Sequence, residues 1–94
     1  MSANRDEKGR MPEVTFSTFI LSLASSTLVQ LGEVPDPATA QTAPADPLMA
    51  RHSIDILDML REKTRGNLTD QESQMLESML YELRMKYVMK CGNA

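Results

Sequence analysis

Phe16–Leu31, FSTFILSLASSTLVQL, is the stretch that the rest of the chain has to accommodate. It holds no charged residue, and the charge-free run extends from Val14 to Gly32. Wound as a helix, Phe16, Phe19, Ile20, Leu21, Leu23, Ala24, Leu28 and Leu31 sweep out an apolar arc of about 200°. Thr18, Ser22, Ser25 and Ser26 lie opposite as a narrow stripe of small hydroxyls. A helix with no charged face is poorly suited to the surface of a small domain. It needs other helices around it, a copy of itself, or lipid.

Lipid is the weakest of the three. Eight of the eighteen residues from Val14 to Leu31 are Ser, Thr or Gln. A membrane span needs about 20 mostly apolar residues, and neither flank is strongly basic. A secretory signal fits no better. The residues ahead of the run mix Arg5, Lys8 and Arg10 with Asp6, Glu7 and Glu13, so they carry no positive bias.

Working outward, Thr15 is the natural N-cap of this helix, and Gly32 is placed to end it in the left-handed conformation. Residues 1–13 are polar and lack apolar periodicity, which reads as a disordered leader. Residues 14–32 are the apolar helix, and 33–46 form a linker rich in Pro and Ala, expected to be semi-extended with no core of its own. Asp46-Pro47 then opens a second helix, with an acid at the N-cap and proline at the first helical position. Its apolar group is Met49, Ala50, Ile54, Ile56, Leu57 and Leu60, against Arg51, Asp55, Asp58 and Glu62. Gly66 ends it. Thr69 and Glu72 are spaced as a capping box, from which a third helix presents Leu76, Met79, Leu80, Leu83 and Tyr87 on one face. The expected helices are near 15–31, 47–64 and 69–90, with a tail at 91–94. About five residues join the last two, so residues 47–90 should fold as an antiparallel helical hairpin.

Three stretches together resemble one family. FSTFILSLASSTLVQLGEVPDP, SIDILDMLREKTRGNLT and LESMLYELRMKYV are similar, in order and spacing, to a family of small bacterial proteins catalogued as a domain of unknown function, number eighteen forty-four. The likeness covers about Val14 to Val88. The linker ATAQTAPADP departs from it, being richer in Ala and Pro than the charged linkers of the family. The resemblance implies a retained first helix and brings no activity, cofactor or catalytic residue.

The residues themselves offer little chemistry. Composition is 41% hydrophobic but only 4% aromatic, the profile of a helical protein. No phosphate loop, zinc spacing or nucleophile elbow is present. Met75 with Met79, Met85 with Met89, and His52 between Met49 and Met59 have the softness of a copper(I) site, but methionine on amphipathic helices is usually adaptable core filler. His52 has no nucleophile coupled to it in sequence. Arg84, Lys86 and Lys90 around Tyr87 are a thin footprint for nucleic acid on a chain of net charge −3. No catalytic, cofactor-binding or metal residue is therefore assigned. The lone Cys91 excludes an intrachain disulfide and fits a reducing, cytoplasmic compartment.

The resulting expectation is an all-α protein: an N-terminal apolar helix plus an antiparallel helical hairpin, completed by oligomerisation. The hairpin covers only one side of the first helix, and Tyr81, Met85 and Met89 lie on the far side of the third. Self-association, most simply as a homodimer, would bury both. The expected interface is Phe16, Thr18, Phe19, Ser22, Leu23, Ser26, Met85 and Met89, with Ser22 near a close helix crossing, between copies or against the hairpin. The function read from this is a non-enzymatic interaction or assembly protein, whose partner is itself or a further protein. A membrane-associated protein inserting the first helix, or a small metal carrier, are the alternatives.

Overall fold

A computed structural model describes residues 13–92 of the chain. The expected leader, 1–13, lies outside the described residues except for Glu13. Three helices make the fold: α1 (Phe16–Gln30), α2 (Pro47–Lys63) and α3 (Asp70–Cys91). No strand occurs among the described residues, only an isolated bridge between Asp36 and Gln41.

Each helix starts at the side chain that the sequence offers. Thr15 caps α1, accepting from Thr18 N–H at 3.0 Å, while the Thr18 hydroxyl closes the reciprocal bond at 3.1 Å. Asp46 caps α2 through Met49 N–H, with Pro47 at the first helical position. Thr69 and Glu72 form the capping box of α3. The end of α1 is equally well made. Gly32 N–H donates to Val29 O and Glu33 N–H to Leu28 O, the paired bonds of a left-handed helix stop, with Gly32 at φ 74°. The third helix runs through Cys91, which packs half-buried against the core, so the tail begins one residue later than expected.

The core is a cluster drawn from all three helices: Ile20, Ala24 and Leu31; Ala50, Ile54 and Leu57; Leu76, Leu80, Leu83 and Tyr87. On α1 the buried row is Ile20, Ala24, Thr27 and Leu31, with spacings of four, three and four. This row is narrower than the apolar arc and includes a threonine. The Thr27 hydroxyl avoids a buried orphan by donating back to Leu23 O at 2.8 Å. On α2 the buried residues are Ala50, Ser53, Ile54 and Leu57, while Met49 is exposed and Ile56 only partly covered. Small side chains thus occupy two of the four buried positions on α2, where α1 approaches.

The linker differs from the semi-extended connector expected. Asp36-Pro37-Ala38-Thr39 is a tight turn, in which Asp36 O accepts from Thr39 and Ala40 N–H and Asp36 Oδ1 from Ala38 N–H. Aspartate first and proline second is the preferred start of such a turn. Asp36 N–H also donates to Gln41 O, which closes residues 36–41 into a loop. The chain returns to its point of departure, and Asp46 N–H donates to Gln30 O at 2.7 Å. The C-terminus of α1 and the N-terminus of α2 therefore meet at one end of the molecule. The C-terminal half of α3 joins them there, with Lys86 and Lys90 Nζ at 3.7 and 3.8 Å from the Glu33 carboxylate.

Candidate interaction surface

Two apolar rows run along α3. Leu76, Leu80, Leu83 and Tyr87 form the buried one, at spacings that keep them on one face. Tyr81, Met85, Val88 and Met89 form the other, on the opposite side at intervals of four, three and one. This outer row faces away from the hairpin and α1: Tyr81 is 69% exposed, Met85 45%, Val88 52% and Met89 77%. A shallow groove runs along each side of it. The first, about 550 Å³, is edged by Ser78, Glu82 and Lys86; the second, about 460 Å³, by Arg61, Arg84 and Val88. Glu77, Tyr81, Met85 and Met89 border both.

Charged side chains flank the row on both sides. On one side Arg61 bridges the hairpin, with Asp58 Oδ1 2.6 Å from its Nη2 and Glu77 Oε1 3.2 Å from its Nη1. Arg84 Nη2 reaches Asp58 Oδ2 at 3.2 Å, so this flank is a chain of paired charges linking α2 to α3. On the other side Lys86 lies between Glu33 at 3.7 Å and Glu82 at 3.8 Å. Glu77, Glu82 and Arg84 are exposed and Glu33, Asp58, Arg61 and Lys86 half-exposed, so each pair contributes little by itself. Their effect is to frame the apolar row.

The first helix leaves a second, smaller apolar surface. Phe19 is half exposed, with Ser22 and Ser26 open beside it. Ser22 Oγ donates to Thr18 O at 3.1 Å and has no partner in the hairpin. Any close crossing against the hairpin therefore lies at the buried Ala24 and Thr27, which corrects half of the expectation for Ser22. Of the other expected interface residues, Phe16 and Leu23 pack partly against the core, and the Thr18 hydroxyl is used by the helix cap. Met85 and Met89 stand in the outer row of α3. No residue of α1 borders either groove. Val88 was missed by sequence reading although its register, three after Met85 and seven after Tyr81, marks it.

The candidates for chemistry are dispersed. His52 is exposed on α2, and Met75 and Met79 fill space against the core while Met85 and Met89 face outward. Among the described residues, no group of three or more His, Cys, Asp or Glu side chains is arranged to hold a metal ion. No described helix is long and apolar enough to cross a membrane.

A family model described as a domain of unknown function (DUF1844) matches residues 13–89, which takes in all three helices up to the last turn of α3. No curated protein and no solved structure matches the chain.

Proposed function

The chain belongs to the DUF1844 family, and on that premise we propose that it is a non-enzymatic helical assembly module that works as a homodimer. The observation that carries this reading is the outer row of α3. Four large apolar side chains stand together on a face that the three-helix core does not use. Contiguous exposed apolar side chains often mark an interaction site, and closed two-fold pairing is the commonest symmetry by which copies of a chain cover one. Phe19, with the open Ser22 and Ser26 beside it, adds a second place where another helix can approach closely. A chain of this size also has a marginal core, which association reinforces. The single cysteine supports a cytoplasmic setting.

Light scattering on purified protein at tens of micromolar tests the reading. The expected mass is twice the 10.5 kDa of the chain. A uniform monomer at that concentration refutes it. Met85→Lys, placed in the middle of the row, should give a folded monomer with undiminished helical circular dichroism.

A further inference from the structure

Resting on the homodimer reading, we infer that the occupant of the outer face of α3 is α3 of a second copy, packed antiparallel about a two-fold axis near Met85. The argument is one of shape and charge. Tyr81, Met85 and Met89 make a single ridge at intervals of four residues, with a groove on each side. Ridges of this spacing pack by entering the groove of a similar helix, and here ridge and groove belong to the same surface. It is therefore self-complementary, as a two-fold interface requires.

Charge suits the antiparallel direction. A two-fold axis across a pair of antiparallel helices places the same flank of each helix side by side. On the flank bearing Glu82 and Lys86, the axis near Met85 sets Glu82 of one copy beside the partner's Lys86, and Lys86 beside the partner's Glu82. Tyr81 meets the partner's Met89 at the same time. Parallel pairing would instead set this flank beside the partner's opposite flank, which carries Arg84, so Glu82 and Lys86 would not meet each other. Within one chain Glu82 is 62% exposed and only loosely paired with Lys86 at 3.8 Å, so it can turn to the partner, while Lys86 also lies 3.7 Å from its own Glu33. On the opposite flank Arg84 comes near its own counterpart, but Asp58 accompanies it at 3.2 Å and offsets the repulsion.

Charge reversal on the full chain tests the pairing. Glu82→Lys and Lys86→Glu, each alone, set like charges across the axis and should weaken self-association roughly tenfold or more. An equimolar mixture of the two restores both cross-chain pairs, and should recover dimer mass in light scattering where neither variant does alone. Circular dichroism confirms that each variant is folded. As a second measurement, Met85→Cys in a Cys91→Ser background should give a disulfide-linked dimer on mild oxidation, whereas Ser22→Cys in that background should not. Dimers of wild-type mass from both single variants, a mixture that does not recover, or efficient linkage only through Ser22→Cys, each overturns the α3 pairing while leaving self-association standing. A wild-type monomer removes both.

Discussion

Ser53 Oγ donates to Gln30 Oε1 at 2.7 Å, joining the second turn of α2 to the last residue of α1. The same glutamine accepts Asp46 N–H on its backbone carbonyl. One residue thus holds both the start of α2 and its first buried turns against α1. Ser53 is buried, so Ser53→Ala takes away the donor and leaves the amide oxygen poorly solvated. The expected cost is about 1–2 kcal/mol. Urea unfolding should show a lower midpoint with an unchanged slope, because the folded area stays the same.

Gly32 and Gly66 both have positive φ, at 74° and 81°, yet alanine should behave differently at the two. A Cβ at Gly66 meets nothing within 4 Å, so Gly66→Ala should cost about 1 kcal/mol from the left-handed backbone alone. At Gly32 the added carbon would lie 2.9 Å from Ala43 O and 3.3 Å from Ala45 N, both backbone atoms. The linker would have to lift from the end of α1, loosening the return through Asp46. Thermal melting should therefore rank Gly32→Ala well below Gly66→Ala, by more than about 1 kcal/mol.

Thr69 supplies the hydroxyl of the one capping box that also carries a carboxylate, Glu72. Thr69→Ala should cost about 1 kcal/mol, while Thr69→Ser should be nearly neutral because the hydroxyl is retained. Chemical denaturation of the two variants side by side checks this. Equal losses would mean that the methyl group, and not the cap, matters.

Helix positions were legible because their punctuation is written in side chains. Thr15, Asp46-Pro47 and Thr69 begin the helices, and Gly32 ends α1. By contrast α2 stops earlier than Gly66, at Lys63 with Thr64 as its cap, and Gly66 serves the turn that follows. The buried face of α3 was also legible, since Leu76, Leu80, Leu83 and Tyr87 are large and regularly spaced. The buried face of α1 was not. Thr27 counts as polar on any hydropathy scale, but one bond to Leu23 O satisfies it, and its methyl then packs like that of valine. On α2, hydropathy favours Met49 and Ile56, whereas the approach of α1 selects the small Ala50 and Ser53. The turn at Asp36-Pro37 was present as a signal, but the four nearby prolines read more strongly as extension. Of the candidate surface, Met85 and Met89 were readable as apolar residues opposite the core face. The framing by Arg61, Asp58 and Glu77 was not, because pairing across a hairpin depends on the register between its helices.

The placement of α1 makes the last prediction. Ala24 is 3% exposed and lies in the middle of the buried row, between Ile20 and Thr27. Ser22 lies on the open side of the same helix, bonded only to Thr18 O. Ala24→Leu would insert three carbons between α1 and the hairpin, where Ile20, Leu31, Leu57 and Leu80 are already fully covered. Such overpacking typically costs about 1–3 kcal/mol, because neighbouring side chains must leave their preferred rotamers. Ser22→Leu adds a comparable volume to solvent and should alter the stability of the folded chain by no more than about 0.5 kcal/mol. Urea denaturation at low protein concentration, where association contributes little, separates the two directly. Light scattering at tens of micromolar then asks a different question of Ser22→Leu: a changed dimer population with unchanged chain stability would place α1 in the interface as well. If Ala24→Leu instead proves as stable as wild type, the buried row of α1 has been assigned to the wrong side of the helix.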